Sequence, residues 1–187
     1  VALAQHHQEA KVFFLHNPNH DEVLRFIGYF LKYTRELLTI YYSGRSAILR
    51  NHSNGKSSGN DSAMVLNDGY VFDSELNQLL YEYLNETTRV ILIADCCNQS
   101  PIWNLHNPLK PKEYLSGQVI LITVGIDPQA ESKACSKAHG IFTYLLCKNL
   151  EMAPRITAKE LAERISTHLK RFNEIVITDA TVSDLLY

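Results

Sequence analysis

The stretch Arg89-Val-Ile-Leu-Ile-Ala-Asp-Cys-Cys97 decides the fold. Its first six residues form a nearly continuous apolar run with β-branched side chains. A strand half-exposed to water would alternate apolar with polar residues. A strand buried on both faces reads as this one does, and such strands belong to parallel sheets covered by helices. The run ends abruptly in Asp95-Cys96-Cys97, so polar and nucleophilic chemistry sits at the carboxyl end of a central strand. In open α/β sheets, that end is where sites form.

Working outward, Gln118-Val-Ile-Leu-Ile-Thr-Val124 repeats the buried-strand pattern. Upstream, Leu38-Thr-Ile-Tyr-Tyr42 is a further strand, with Ser43-Gly44 at its exit. Lys11-Val-Phe-Phe-Leu15 is a fourth, closed by Asn17-Pro18-Asn19. Between residues 21 and 37, Val23, Leu24, Phe26, Ile27, Phe30, Leu31 and Leu37 form a helical stripe. Residues 51–62, rich in Asn, Ser and Gly, read as a long loop. Asn67-Asp68-Gly69, between 63–66 and 70–72, is a hairpin signal. Asp73 or Ser74 caps a helix carrying Leu76, Leu79, Leu80, Tyr83 and Leu84. Helices follow over 139–150 and 157–172, the latter opened by the capping-box pattern Thr157-x-x-Glu160. Residues 174–178 form a last short strand. The pattern predicts an α/β fold with the strands at 11–15, 38–43, 89–94 and 118–124 in one mainly parallel central sheet, helices on both faces.

Composition fits this reading. The 187 residues are 45% hydrophobic and 20% charged, which excludes a disordered chain, and they are enough for one sizeable domain. A net charge of −2 gives no basic face for nucleic acid or an anionic membrane. The longest apolar runs fall far short of the ~20 residues a membrane helix needs. No secretory leader is read at the amino end. The four cysteines suggest no disulfide framework, and the four N-x-S/T sequons are read as chance matches. A cytoplasmic protein with reduced thiols is the simplest expectation.

With the two strand ends side by side, the chain resembles the caspase-hemoglobinase fold, and within it the metacaspases. That family ends one central strand with Y-S-G-H-G and the next with D-x-C-x-S-G. Here the corresponding stretches are Tyr42-Ser43-Gly44-Arg45-Ser46 and Asp95-Cys96-Cys97-Asn98-Gln99-Ser100. Gly140-Ile-Phe-Thr-Tyr-Leu-Leu-Cys-Lys-Asn-Leu150 is similar to the family's G-x-F-T-Y-x-L helix. Leu66-Asn-Asp-Gly-Tyr-Val-Phe-Asp-Ser-Glu-Leu76 resembles its turn-and-helix segment. The match runs from about residue 12 to 177. It implies a caspase-like three-layer sandwich over 1–187, lacking the first strand-helix unit that the family places before the segment like 11–15.

The resemblance also implies a chemistry and its loss. The family cleaves peptides with a Cys/His dyad, the thiolate attacking and the imidazole shuttling the proton. Cys97 matches the nucleophile. The histidine position holds Arg45, whose guanidinium cannot take and return a proton near neutral pH. Ser46 replaces the glycine that helps form the oxyanion hole. His52, seven residues past Arg45 in the polar loop, is the alternative base. Asp95 and Ser43 match positions that help build a pocket for a substrate Arg or Lys. Arg45 is expected to pair with Asp95 or another local acid and block that pocket. The function expected is an inactive regulatory or scaffold pseudopeptidase with a protein partner such as an active metacaspase, and with no cofactor or metal. The alternatives are an active cysteine endopeptidase cutting after Arg or Lys with Cys97 as nucleophile, and a redox sensor using Cys96 and Cys97.

Overall fold

The computed structural model describes residues 10–50, 60–97, 102–103, 119–124, 141–168 and 175–178. Its elements, in chain order, are α1 (His20–Tyr33), β1 (Leu37–Arg50), β2 (Asn60–Val65), β3 (Tyr70–Phe72), α2 (Asp73–Tyr83), β4 (Arg89–Cys97), β5 (Val119–Val124), α3 (Ile141–Met152), α4 (Ala158–His168) and β6 (Ile175–Thr178). Six strands form one sheet in the order β3-β2-β1-β4-β5-β6. β1, β4 and β5 run parallel at its centre. The outer strands pair antiparallel: β2 with β1, β3 with β2, and β6 with β5.

The apolar run that reads as a buried strand is one. On β4 the side chains alternate between two cores. Val90, Leu92, Ala94 and Cys96 pack with Val23, Ile27 and Leu31 of α1 and Leu76 and Leu80 of α2. Ile91 and Ile93 pack with Phe142, Leu145 and Leu146 of α3 and Leu161 and Ile165 of α4. Helices therefore cover both faces, and each fully buried Leu, Ile or Phe contributes roughly 1.5–3 kcal/mol through removal of apolar surface from water.

The ends of the helices follow local chemistry. Asn19 caps α1: its side chain accepts from the Glu22 N–H at 2.8 Å, and the Glu22 carboxylate accepts from the Asn19 N–H at 2.9 Å. The helix stops at Tyr33, short of the expected 37, where the Arg35 guanidinium donates to the Lys32 carbonyl at 2.6 Å. The Thr157 hydroxyl accepts from the Glu160 N–H at 3.2 Å and the Glu160 carboxylate accepts from the Thr157 N–H, closing the expected capping box at α4. The Thr157 N–H and hydroxyl, both donating to its carboxylate, hold Glu160 below its ordinary value. The 66–69 turn closes through Leu66 N–H to the Gly69 carbonyl at 2.8 Å, and Gly69 takes φ +154°, which glycine adopts without strain.

Three expectations are corrected. Residues 11–15 are not a strand; they run as exposed chain ahead of α1, with no sheet neighbour among the described residues. β1 does not exit at Ser43-Gly44 but continues to Arg50, because β2 offers a new antiparallel partner from Arg45 onward. Neither Asp73 nor Ser74 caps α2. Phe72 stands at the cap, its N–H taken by the Glu75 carboxylate at 2.9 Å. Buried Asp73 instead accepts the main-chain N–H of Trp103 at 2.7 Å. That bond anchors Trp103, which is completely buried and takes φ 70°, a rare region for so bulky a side chain.

Candidate functional site

The two motif strands lie side by side. β1 and β4 pair in parallel, so Ser43 lies opposite Asp95, Gly44 opposite Cys96 and Arg45 opposite Cys97. Four of the five candidate residues thus meet at one end of the sheet. His52 lies outside the described residues.

On the face covered by α3, a chain of hydroxyls leads to Asp95. Thr143, in the first turn of α3, donates its hydroxyl proton to the Asp95 carboxylate. Since a threonine has a single such proton, the Tyr41 hydroxyl, 2.6 Å from Thr143 Oγ1, must be the donor in that contact. Ser43 hydrogen-bonds Tyr41 in turn. Burial pushes the Tyr41 phenol up, its bonds to Thr143 and Ser43 oppose this, and the Asp95 charge adds to the rise. Asp95 is 8% exposed. A carboxylate so enclosed needs donors, and Thr143 supplies one.

That arrangement overturns the expected Arg45–Asp95 pair. Asp95 faces α3 and is engaged by Thr143, while Arg45 lies one step further along the strands, opposite Cys97, and is exposed. Among the described residues, no carboxylate lies within salt-bridge distance of Arg45. The guanidinium does not block a pocket by pairing with Asp95.

On the opposite face, Cys96 is buried at 1% exposure beside Ser46, whose side chain hydrogen-bonds it, as does the Ile102 main chain. Burial pushes its thiol up, and the charges of Asp95 and Asp73 act in the same direction. A raised thiol is a protonated, poor nucleophile at neutral pH, which counts against Cys96 as half of a redox pair. Tyr42 shapes this end of the sheet. Its hydroxyl donates to the Arg45 carbonyl at 2.6 Å and also bonds the Val65 main chain, bridging β1 and β2 where their pairing begins. Burial pushes the phenol to about 12, and the neighbouring Cys96 adds to this. The ring folds over Gly44, where an added Cβ would meet the hydroxyl oxygen at 2.5 Å. A side chain at 44 would force the Tyr42 ring to move.

Tyr41 and Thr143 were not marked by sequence reasoning. Thr143 sits in the helix motif quoted above, and Tyr41 precedes Ser43 by two positions, on the same side of β1; those were the available signals. Among the described residues, no three His, Cys, Asp or Glu side chains gather in a way that could hold a metal ion, and no helix is long and apolar enough to cross a membrane.

No protein-family model matches the chain, and no curated protein matches it. Among solved structures, the chain is similar to the crystal structure of protein GSU0716 from Geobacter sulfurreducens, a structural-genomics target. The TM-score is 0.60 at 16% identity, covering 89% of this chain and 75% of that one. At that identity the likeness shows a shared α/β fold and nothing of activity.

Proposed function

We propose that the chain is a caspase-fold domain of metacaspase type with a degenerate peptidase site, acting through protein binding as a regulator or scaffold. The observation that carries this reading is the register of β1 on β4: Arg45, which the resemblance aligns with the family's histidine, stands opposite Cys97. A guanidinium stays charged at every physiological pH, so it can bind an anion but cannot act as general base. The Ser43–Tyr41–Thr143–Asp95 chain supports the same reading. In a working site, Asp95 would await a cationic side chain; here its carboxylate is already engaged by α3.

The test is direct. The purified protein is incubated with peptide substrates carrying Arg, Lys or Asp at the cleavage position, and with a peptidyl-Arg electrophile. No turnover and no Cys97-dependent labelling are expected. Addition of the protein to an active metacaspase should change that enzyme's rate. Robust hydrolysis abolished by Cys97→Ala would overturn the proposal in favour of an active endopeptidase.

A further inference from the structure

Among the described residues, the sheet is open along part of one strand. β4 pairs with β1 from Leu37 to Arg45. On the other side, β2 pairs with β1 only from Arg45 to Arg50. Among the described residues, the edge of 37–44 that faces away from β4 has no strand beside it. Its composition is that of an interior strand: Leu37-Leu-Thr-Ile-Tyr-Tyr42. Yet these side chains are half-buried at best and Tyr41 is 44% exposed, whereas residues 90–96 of β4 are buried throughout. A row of unpaired N–H and C=O groups on an apolar strand is a template for another strand.

The same molecule carries a strand-forming segment without a sheet. In residues 11–15, Lys-Val-Phe-Phe-Leu, Val12 is 64% exposed, Phe13 62%, Phe14 82% and Leu15 40%. The Phe13 ring lies 4.7 Å from that of Phe30 on α1, and Phe30 contacts Phe26 and Tyr29. Exposed aromatic and aliphatic surface of this density marks an interaction face.

We infer that these two elements meet between copies of the chain: residues 11–15 of one protomer add as a strand to the 37–44 edge of a second, and the exchange is reciprocal. The inference does not rest on the proposed function. The segment fits within the edge, since five extended residues cover about 17 Å of its roughly 26 Å at ~3.3 Å per residue. Composition agrees too, because the incoming strand must present apolar side chains beside Leu38, Ile40 and Tyr42, which pack against the α1–α2 core. Within one chain, the Phe13–Phe30 contact ties the segment to α1, away from any strand. Reciprocal exchange covers most of each open edge and both apolar segments and closes a two-fold dimer.

The experiment is sedimentation equilibrium on the 187-residue chain, alongside amide hydrogen exchange. It is run on the unchanged protein and on a Val12→Lys, Phe14→Lys double variant. Both substituted side chains are exposed in the protomer, so the variant should keep its circular dichroism and melting temperature. Expected are a concentration-dependent dimer of twice the protomer mass, slow exchange at 37–44 in that dimer, and loss of both in the variant. A monomer at every concentration overturns the inference; slow exchange in it would mean that the edge is covered by the chain itself. A dimer that persists in the variant assigns the contact to another surface and equally overturns it.

Discussion

At the scale of single residues, the site end of β1 is governed by Tyr42 and Gly44. Gly44→Ala would drive a methyl into the Tyr42 ring, whose hydroxyl bridges to β2. A rigid ring yields poorly, so a loss of about 1–3 kcal/mol is expected in urea unfolding. In a Tyr42→Ala background the same change should cost much less, and an unchanged cost would reject the contact as the cause. Thr143→Val keeps shape and removes the hydroxyl that serves both Asp95 and Tyr41. Leaving the buried carboxylate without that donor should cost about 1–3 kcal/mol, and Thr143→Ser should restore most of it. The neighbourhood of 43, 45, 95 and 97 was legible in the sequence because each pair follows an apolar run and the two runs pair in parallel, although β1 continues past 45 to Arg50. The Tyr41–Thr143 link was not, because it joins residues 102 apart and leaves no local pattern.

At the scale of elements, the packing of α1 on α2 depends on His20. Its ring bonds Asp21 at 3.1 Å and Glu75, at the start of α2, at 2.9 Å, and the main-chain N–H of His20 donates to Asp68 in the β2–β3 turn. The bond to Asp21 raises its pKa above 6.5, Glu75 adds to the rise, and burial opposes it. A raised folded-state pKa gives stabilisation that is fully present below about 6.5 and lost as pH rises through the folded value. His20→Gln should therefore destabilise more at pH 5.5 than at pH 8. Because the ring is partly exposed and solvent screens its partners, the difference should stay within about 1 kcal/mol; denaturant melts at the two values measure it. Such elements are readable from sequence when their signals are local. The Asn67-Asp68-Gly69 turn and the Thr157–Glu160 box form as expected because each closes within four residues. Residues 11–15 carry a strand's composition and still form none, since a strand exists only beside another one. The cap of α2 was misassigned because distant Trp103 claims Asp73.

At the scale of the whole molecule, the parallel arrangement of β1, β4 and β5 was legible because strands buried on both faces have nearly uninterrupted apolar sequences. The antiparallel outer strands, and the change of partner along β1, were not. They depend on which edge is free once the centre has formed. That division of β1 has a consequence for the order in which the chain folds. Its second half, with β2 and β3, is a meander of near neighbours, which closes small loops. Its first half pairs with β4 some fifty residues later, a contact whose loop entropy must be met before any gain is realised. The meander is thus suited to form early and to present β1 to β4 already extended. Gly69→Ala introduces strain at φ +154° without a clash, since nothing lies within 4 Å of the added carbon. It should chiefly slow refolding, whereas Ile93→Val on β4 should chiefly speed unfolding. Stopped-flow chevrons on the two variants would separate these effects, and equal partition in both would mean that the two halves of β1 assemble together.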